Sequence, residues 1–156
     1  MWNERTEFTT GREGFSLLEI LIVLSLMAII FGFSTFFFAD RLPAARLDAL
    51  GRDISAGIRH AKSLAISEGD RRYFMIDLDR RSFGVEGLPE KKIPSDITIS
   101  IRDRFGGEIH QGQYAITAWG VGSIEGDTIL LGTKRKKIEI RIDPILGSVI
   151  LKGNGI

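Results

Sequence analysis

The chain has 156 residues, 44% of them hydrophobic, with 21 Lys plus Arg against 20 Asp plus Glu and a formal net charge of +1. That balance, with the two signs interspersed, excludes the basic stripe of a general nucleic-acid binder, and no nucleic-acid partner is expected. The lack of cysteine excludes disulfides, thiolate zinc sites and a thiol nucleophile.

The first 14 residues are polar and carry both charge signs, at Glu4, Arg5, Glu7, Arg12 and Glu13. From Phe15 the character changes at once: FSLLEILIVLSLMAIIFGFSTFFFA has Glu19 as its single charge. Beyond Glu19 the run is about 20 residues, or roughly 30 Å as a helix, the thickness of a bilayer hydrocarbon core. A helix is the expected form, because lipid offers no partners to backbone N–H and C=O groups. A removable secretory signal fits less well, since its apolar region is about 7–15 residues long and follows a clearly positive stretch. Here the leader is charge-balanced and the far end, FFFADRLPAA, is bulky, although Pro43-Ala44-Ala45 mimics a cleavage site.

Glu19 carries two compatible readings. Locally, Ser16-x-x-Glu19 fits a capping box, with the carboxylate where the helix macrodipole favours it. As a charge at the membrane edge, it awaits a positive partner. An unpaired charge deep in a bilayer costs at least about 2.5–3.5 kcal/mol, so such residues mark interactions.

Asp40, Arg41 and Pro43 predict a kink or break near residues 39–42. Helical spacing then resumes, with Leu47, Leu50, Ile54, Ile58, Ala61 and Ala65 three or four apart and charges mostly off that stripe. Small residues Ser55, Ala56 and Gly57 allow another layer to approach closely, and Gly69 reads as the C-cap. From Tyr73 the period becomes alternating. Strands are expected over 73–78, 81–85, 97–101, 114–118, 128–131, 138–142 and 148–151, punctuated by Gly, Asp-Arg and Asp-Pro turns. Short strands joined by tight turns imply antiparallel pairing, and the 44–68 stripe is the available cover for the sheet.

Enzyme chemistry has no foothold in this pattern. His60 and His110 lie outside any HExxH, CxxC or GxSxG context, and the glycines lack the Lys-Ser/Thr sequel of a phosphate loop. No catalytic residue, metal or cofactor is expected. Asp77 and Asp79, beside Arg80 and Arg81, make a poor calcium site. The basic run Lys134-Arg135-Lys136-Lys137 reads as a solvated hairpin loop, with a contact to an acidic partner or DNA as the sharper alternative.

Gly14-Phe15-Ser16-Leu17-Leu18-Glu19 closely resembles the prepilin-processing motif of type IV pilins and type II secretion pseudopilins. Two later stretches are similar to the H-type minor pseudopilins and related minor pilins. One is Arg59-His60-Ala61-Lys62-Ser63-Leu64-Ala65-Ile66-Ser67-Glu68-Gly69. The other runs from Trp119-Gly120-Val121-Gly122 to Asp127-Thr128-Ile129-Leu130 and on to the Asp-Pro-Ile-Leu-Gly turn. Asp127 departs from the pattern, which often has a second Gly there. The major pseudopilin's calcium loop and the cysteine pair of many pilins are not matched.

The resemblance implies an α+β, pilin-like fold: a long N-terminal helix, transmembrane in its first half, packed on an antiparallel β-sheet head. The organisation it implies is a cleaved leader at 1–14, a transmembrane helix at 15–39, its amphipathic continuation at 40–69 and a periplasmic β-rich head at 70–156. It further implies that prepilin peptidase cuts between Gly14 and Phe15 and N-methylates Phe15, and that Glu19 pairs with a neighbouring subunit's terminal amine. Expected partners are other pseudopilins in a helical filament, the peptidase, an inner-membrane assembly platform and the lipid bilayer. The expected location is the bacterial inner membrane, single-pass, with the head in the periplasm. The function implied is a minor subunit of the type II secretion pseudopilus, assisting export of folded proteins. A minor type IV pilin, acting in pilus assembly or DNA uptake, is the near alternative. An ordinary single-pass protein with a periplasmic binding domain is the rival of another class.

Overall fold

A computed structural model describes residues 15–39 and 42–155. The chain divides after Ala39 into two compact units. Residues 1–14, with the expected leader and Gly14, lie outside the described residues, as do 40 and 41.

Helix α1 (Leu17–Ala39) opens at Ser16, whose carbonyl accepts the N–H of Glu19 at 2.9 Å and of Ile20 at 3.2 Å. These are the first backbone bonds of the helix, in which an N-cap residue's carbonyl already takes part. Its large apolar side chains from Phe15 to Phe31 are all exposed, between 46% at Val23 and 82% at Leu17. Ser25, the polar interruption, donates its hydroxyl to the Leu21 carbonyl at 2.8 Å. Among the described residues no helix is long and apolar enough to cross a membrane. The transmembrane assignment of 15–39 thus draws no support from the structure itself.

The second unit is built on helix α2 (Leu42–Glu68). Pro43 sits in its first turn, where the missing N–H has no intrahelical acceptor to lose. All six residues of the expected stripe are buried, Leu47, Ile54, Ile58 and Ala65 completely. Gly57 lets α2 close onto the head: a Cβ there would stand 2.4 Å from Cε2 of Phe74, itself buried. Gly69, at φ +70°, ends the helix in the left-handed conformation that a C-cap requires.

Ten strands follow among the described residues, and their neighbours pair antiparallel throughout. One sheet orders β3 (Lys91–Lys92), β2 (Ser82–Val85), β1 (Arg72–Asp77), β6 (Gln113–Ala118) and β7 (Ile124–Glu125). The other orders β10 (Ser148–Gly155), β9 (Lys136–Asp143), β8 (Thr128–Gly132), β4 (Thr98–Arg102) and β5 (Glu108–Ile109). The single sheet expected from the sequence is therefore two. The chain passes between them three times, from β3 to β4, β5 to β6 and β7 to β8. At the last passage a Cβ on Gly126 would lie 2.9 Å from Ile142 and 3.0 Å from Ile116, so a side chain there would make these neighbours shift.

Helix α2 touches β1, β2 and β6 of the first sheet and β8, β9 and β10 of the second. The core lies between these layers. Phe74, Ile76 and Ile116 enter it from one sheet, and Ile101, Ile129, Leu131, Ile138 and Ile140 from the other. Each such aliphatic side chain contributes about 1.5–3 kcal/mol by leaving water.

Candidate functional site

At the N-terminal end, Phe15 is 79% exposed and Glu19 is exposed in the first turn of α1. Four N–H groups of a first turn lack intrahelical acceptors, so a carboxylate there sits in a favourable field. Glu19 makes no ion pair among the described residues. The structure thus presents a carboxylate close to the start of a helix that is apolar on every face. The Gly14–Phe15 bond, where cleavage is expected, falls outside the described residues.

In the head, the structure redistributes the charged features singled out from sequence. The basic run is not simply a solvated loop. Strand β9 begins at Lys136, whose Nζ lies 2.7 and 2.8 Å from the two carboxylate oxygens of Asp48 on α2. Lys136 is therefore an internal strut, invisible in sequence because its partner is 88 residues away. Asp77 and Asp79 tie turns together. Asp77 accepts the Arg80 N–H at 2.7 Å and the Gln113 amide at 2.9 Å, while Asp79 accepts the Gly112 N–H at 3.1 Å. The Arg80 N–H holds the Asp77 carboxyl below its usual range; desolvation opposes it less strongly, and the Gln113 amide adds a smaller lowering. His60 is exposed on α2, and His110 lies 3.7 Å from Glu108. Among the described residues no three His, Cys, Asp or Glu side chains converge on a metal-sized site.

Parts of the two stretches that carry the H-type resemblance, the end of α2 in one and the Trp119 and Asp143–Gly147 turns in the other, approach one another in the head. Lys62 of α2 donates its ammonium to the Gly147 carbonyl at 2.8 Å. Gly147 has φ +55°, and a Cβ there would stand 2.4 Å from the Gly122 carbonyl oxygen. Gly120 lies equally close to the helix cap, with its would-be Cβ 2.7 Å from the carbonyl carbon of Gly69. The turn 119–122 is closed by the Gly122 N–H to the Trp119 carbonyl at 2.8 Å. So the helix end, the Trp119 turn and the Asp143–Gly147 turn lock one another through backbone contacts. Sequence reading marked these stretches separately and had no signal for their meeting. Asp127, the departure from the family pattern, donates its N–H to the Tyr114 hydroxyl at 2.6 Å. Burial, with the Asp127 and Glu125 charges behind it, pushes the Tyr114 pKa up to about 12.

Residues 10–35 match the family described as the prokaryotic N-terminal methylation motif. The chain thus combines a prepilin-type N-terminal motif with an α+β fold consistent with that of pilins. Over 136 residues, 87% of this chain and 80% of the relative, it is 26% identical to the type II secretion system protein H of Xanthomonas campestris pv. campestris. That similarity reaches well past the methylation motif and agrees with the H-type resemblance of the head. No solved structure matches.

Proposed function

We propose that the chain is a minor pseudopilin of a type II secretion pseudopilus, assisting export of folded proteins across the outer membrane. The observation that carries this reading is α1: apolar on every described face, with one exposed carboxylate in its first turn. A helix that is hydrophobic all round needs lipid or other helices around it. The motif match over residues 10–35 supports processing at Gly14–Phe15, with Phe15 as the methylated terminus. Stored in the inner membrane, α1 spans it once and leaves the head in the periplasm. Extraction into the filament exchanges lipid for neighbouring α1 helices, and Glu19 then pairs with a neighbour's terminal amine. A desolvated carboxylate specifies register here, because leaving it unpaired among apolar helices is costly. The reaction needs no cofactor from this chain, and its partners are other pseudopilins, the prepilin peptidase and the assembly platform. Similarity to a protein H of type II secretion favours this reading over a minor type IV pilin.

Coexpression with prepilin peptidase followed by intact-mass measurement tests the proposal. The expected product lacks residues 1–14 and carries one added methyl group. An uncut chain would contradict the reading and favour an ordinary single-pass protein. Deletion of the gene then separates export from piliation: loss of exoprotein secretion is expected, with motility and DNA uptake retained.

A further inference from the structure

The basic hairpin between β8 and β9 is built to hold its charges outward. Thr133 closes it: its N–H donates to the Lys136 carbonyl at 2.8 Å, and its hydroxyl accepts the Lys136 N–H at 3.2 Å. Lys134 and Arg135 stand exposed at the tip of this preformed turn, and Lys137 is exposed on the strand that follows. Asp48 neutralises Lys136 and anchors the turn to α2. Lys134 and Lys137 have no carboxylate partner among the described residues.

Lys152 extends the basic patch. Along β9, Lys137 and Glu139 alternate with the buried Ile138 and Ile140, so they point to the outer face of the second sheet. Lys152 stands opposite Glu139 on β10, one diagonal step from Lys137. Lys137 and Lys152 line one outer cleft of about 740 Å³, together with Thr98, Ser100 and Leu130. The cleft's carboxylates are both answered. Glu108 pairs with Arg102 at 3.2 Å and has His110 at 3.7 Å, and Glu139 pairs at 3.1 Å with Arg141, which is not part of the lining. The two lysines are left over, because Lys152 also lacks a carboxylate partner among the described residues. The patch is therefore positive on balance.

The chain path brings a partner to it. Asp48 lies six residues beyond Leu42, or about 9 Å along α2. Three peptide steps join Ala39, the last residue of α1, to Leu42, at most about 11 Å. The path from α1 to the anchor of the basic hairpin is thus no longer than about 20 Å, whatever the angle between the helices.

We propose that the patch of Lys134, Arg135, Lys137 and Lys152 binds anionic phospholipid headgroups of the membrane that stores α1, and so holds the head against the bilayer until extraction. This rests on the reading of α1 as a membrane anchor. Anionic lipid attracts basic residues flanking a membrane segment by about fivefold in binding for each. The short tether keeps the patch at a high effective concentration beside that surface.

The test uses the full-length protein reconstituted in vesicles of phosphatidylcholine, with or without phosphatidylglycerol. Acetylation of each lysine is followed by mass spectrometry, with Lys62, about 30 Å further along α2 than Leu42, as the reference. Phosphatidylglycerol should slow acetylation of Lys134, Lys137 and Lys152 about tenfold relative to Lys62. Lys134→Glu plus Lys137→Glu should remove most of that protection from Lys152. Lys134→Gln plus Lys137→Gln, with an unchanged melting temperature, should weaken it. Equal rates in the two kinds of vesicle overturn the proposal. So does the same protection on phosphatidylcholine vesicles from inorganic phosphate, duplex DNA or polyglutamate, and so does protection of Lys152 that ignores the charge at 134 and 137. Flotation with phosphatidylcholine vesicles reads α1 separately. A protein that floats without protection loses the patch alone, whereas one that does not float loses the anchor and the patch together.

Discussion

Helix α1 and the head use apolar residues in opposite ways. In α1 the large apolar side chains point outward on every described face, and the informative residue is one exposed carboxylate. In the head the apolar residues converge between α2 and two sheets, and the carboxylates sit on turns and at the surface. The difference teaches where function is specified. A helix that is apolar on every described face is written for apolar surroundings, whether lipid or sister helices. The head's apolar residues mostly pack on one another, apart from exposed ones on turns such as Phe105, Val121 and Ile145.

That contrast can be broken first at the processing site. Gly14→Val should abolish leader removal almost completely, read as retention of residues 1–14 by intact mass, while the thermal transition of the head stays unchanged. A cleaved Gly14→Val product would remove the processing reading. Next in size, Gly57→Leu should act on the head alone. Its side chain must displace the buried ring of Phe74. Overpacking of this kind costs about 1–3 kcal/mol, which lowers the melting temperature of a domain this size by on the order of 10 °C. An unchanged melting temperature would show that α2 and β1 are not as close as described.

Smaller effects sharpen the picture of the head. Lys136→Ala removes the half-buried pair with Asp48 and should cost about 0.5–1 kcal/mol in denaturant unfolding, more than Lys134→Ala on the adjoining turn. A further effect appears only at alkaline pH. Tyr114 has a folded pKa of about 12 against 10.0 for the free side chain, so the unfolded chain loses this proton first. Its contribution to stability is complete below pH 10 and falls away as the pH rises towards 12. Tyr114→Phe should flatten the pH dependence of stability across that interval. An identical slope in both proteins would sink the assignment.

Much of this architecture was legible because it is periodic. The α2 stripe from Leu47 to Ala65 is buried as its spacing demands, and all seven expected strands are present with shifts of one or a few residues at their ends. Strands β3, β5 and β7 escaped notice because two residues cannot display an alternation. The division into two sheets was hidden for a different reason. It depends on which strands pair, and on three passages between the sheets, the last of them at Gly126 beside Ile116 and Ile142. Arg81 shows the same limit: it reads as the start of a strand, yet it sits at φ +52° in the turn before β2. Its guanidinium there bonds the carbonyls of Pro94 and Ile97 at 2.7 and 2.5 Å. Glu19 was readable because a lone charge in an apolar run needs no tertiary information to stand out. Lys62, Gly122 and Gly147 were each visible in a motif, but their junction is long-range and had no local signature.

The most direct measurement is the fraction of chain recovered in sheared pseudopilus filaments for the wild type and for Glu19→Gln, with membrane levels and leader removal matched. Loss of Glu19→Gln from the filament fraction, with a head that melts normally, is the predicted result. Equal recovery of the two proteins would contradict the claim that this carboxylate joins one subunit to the next.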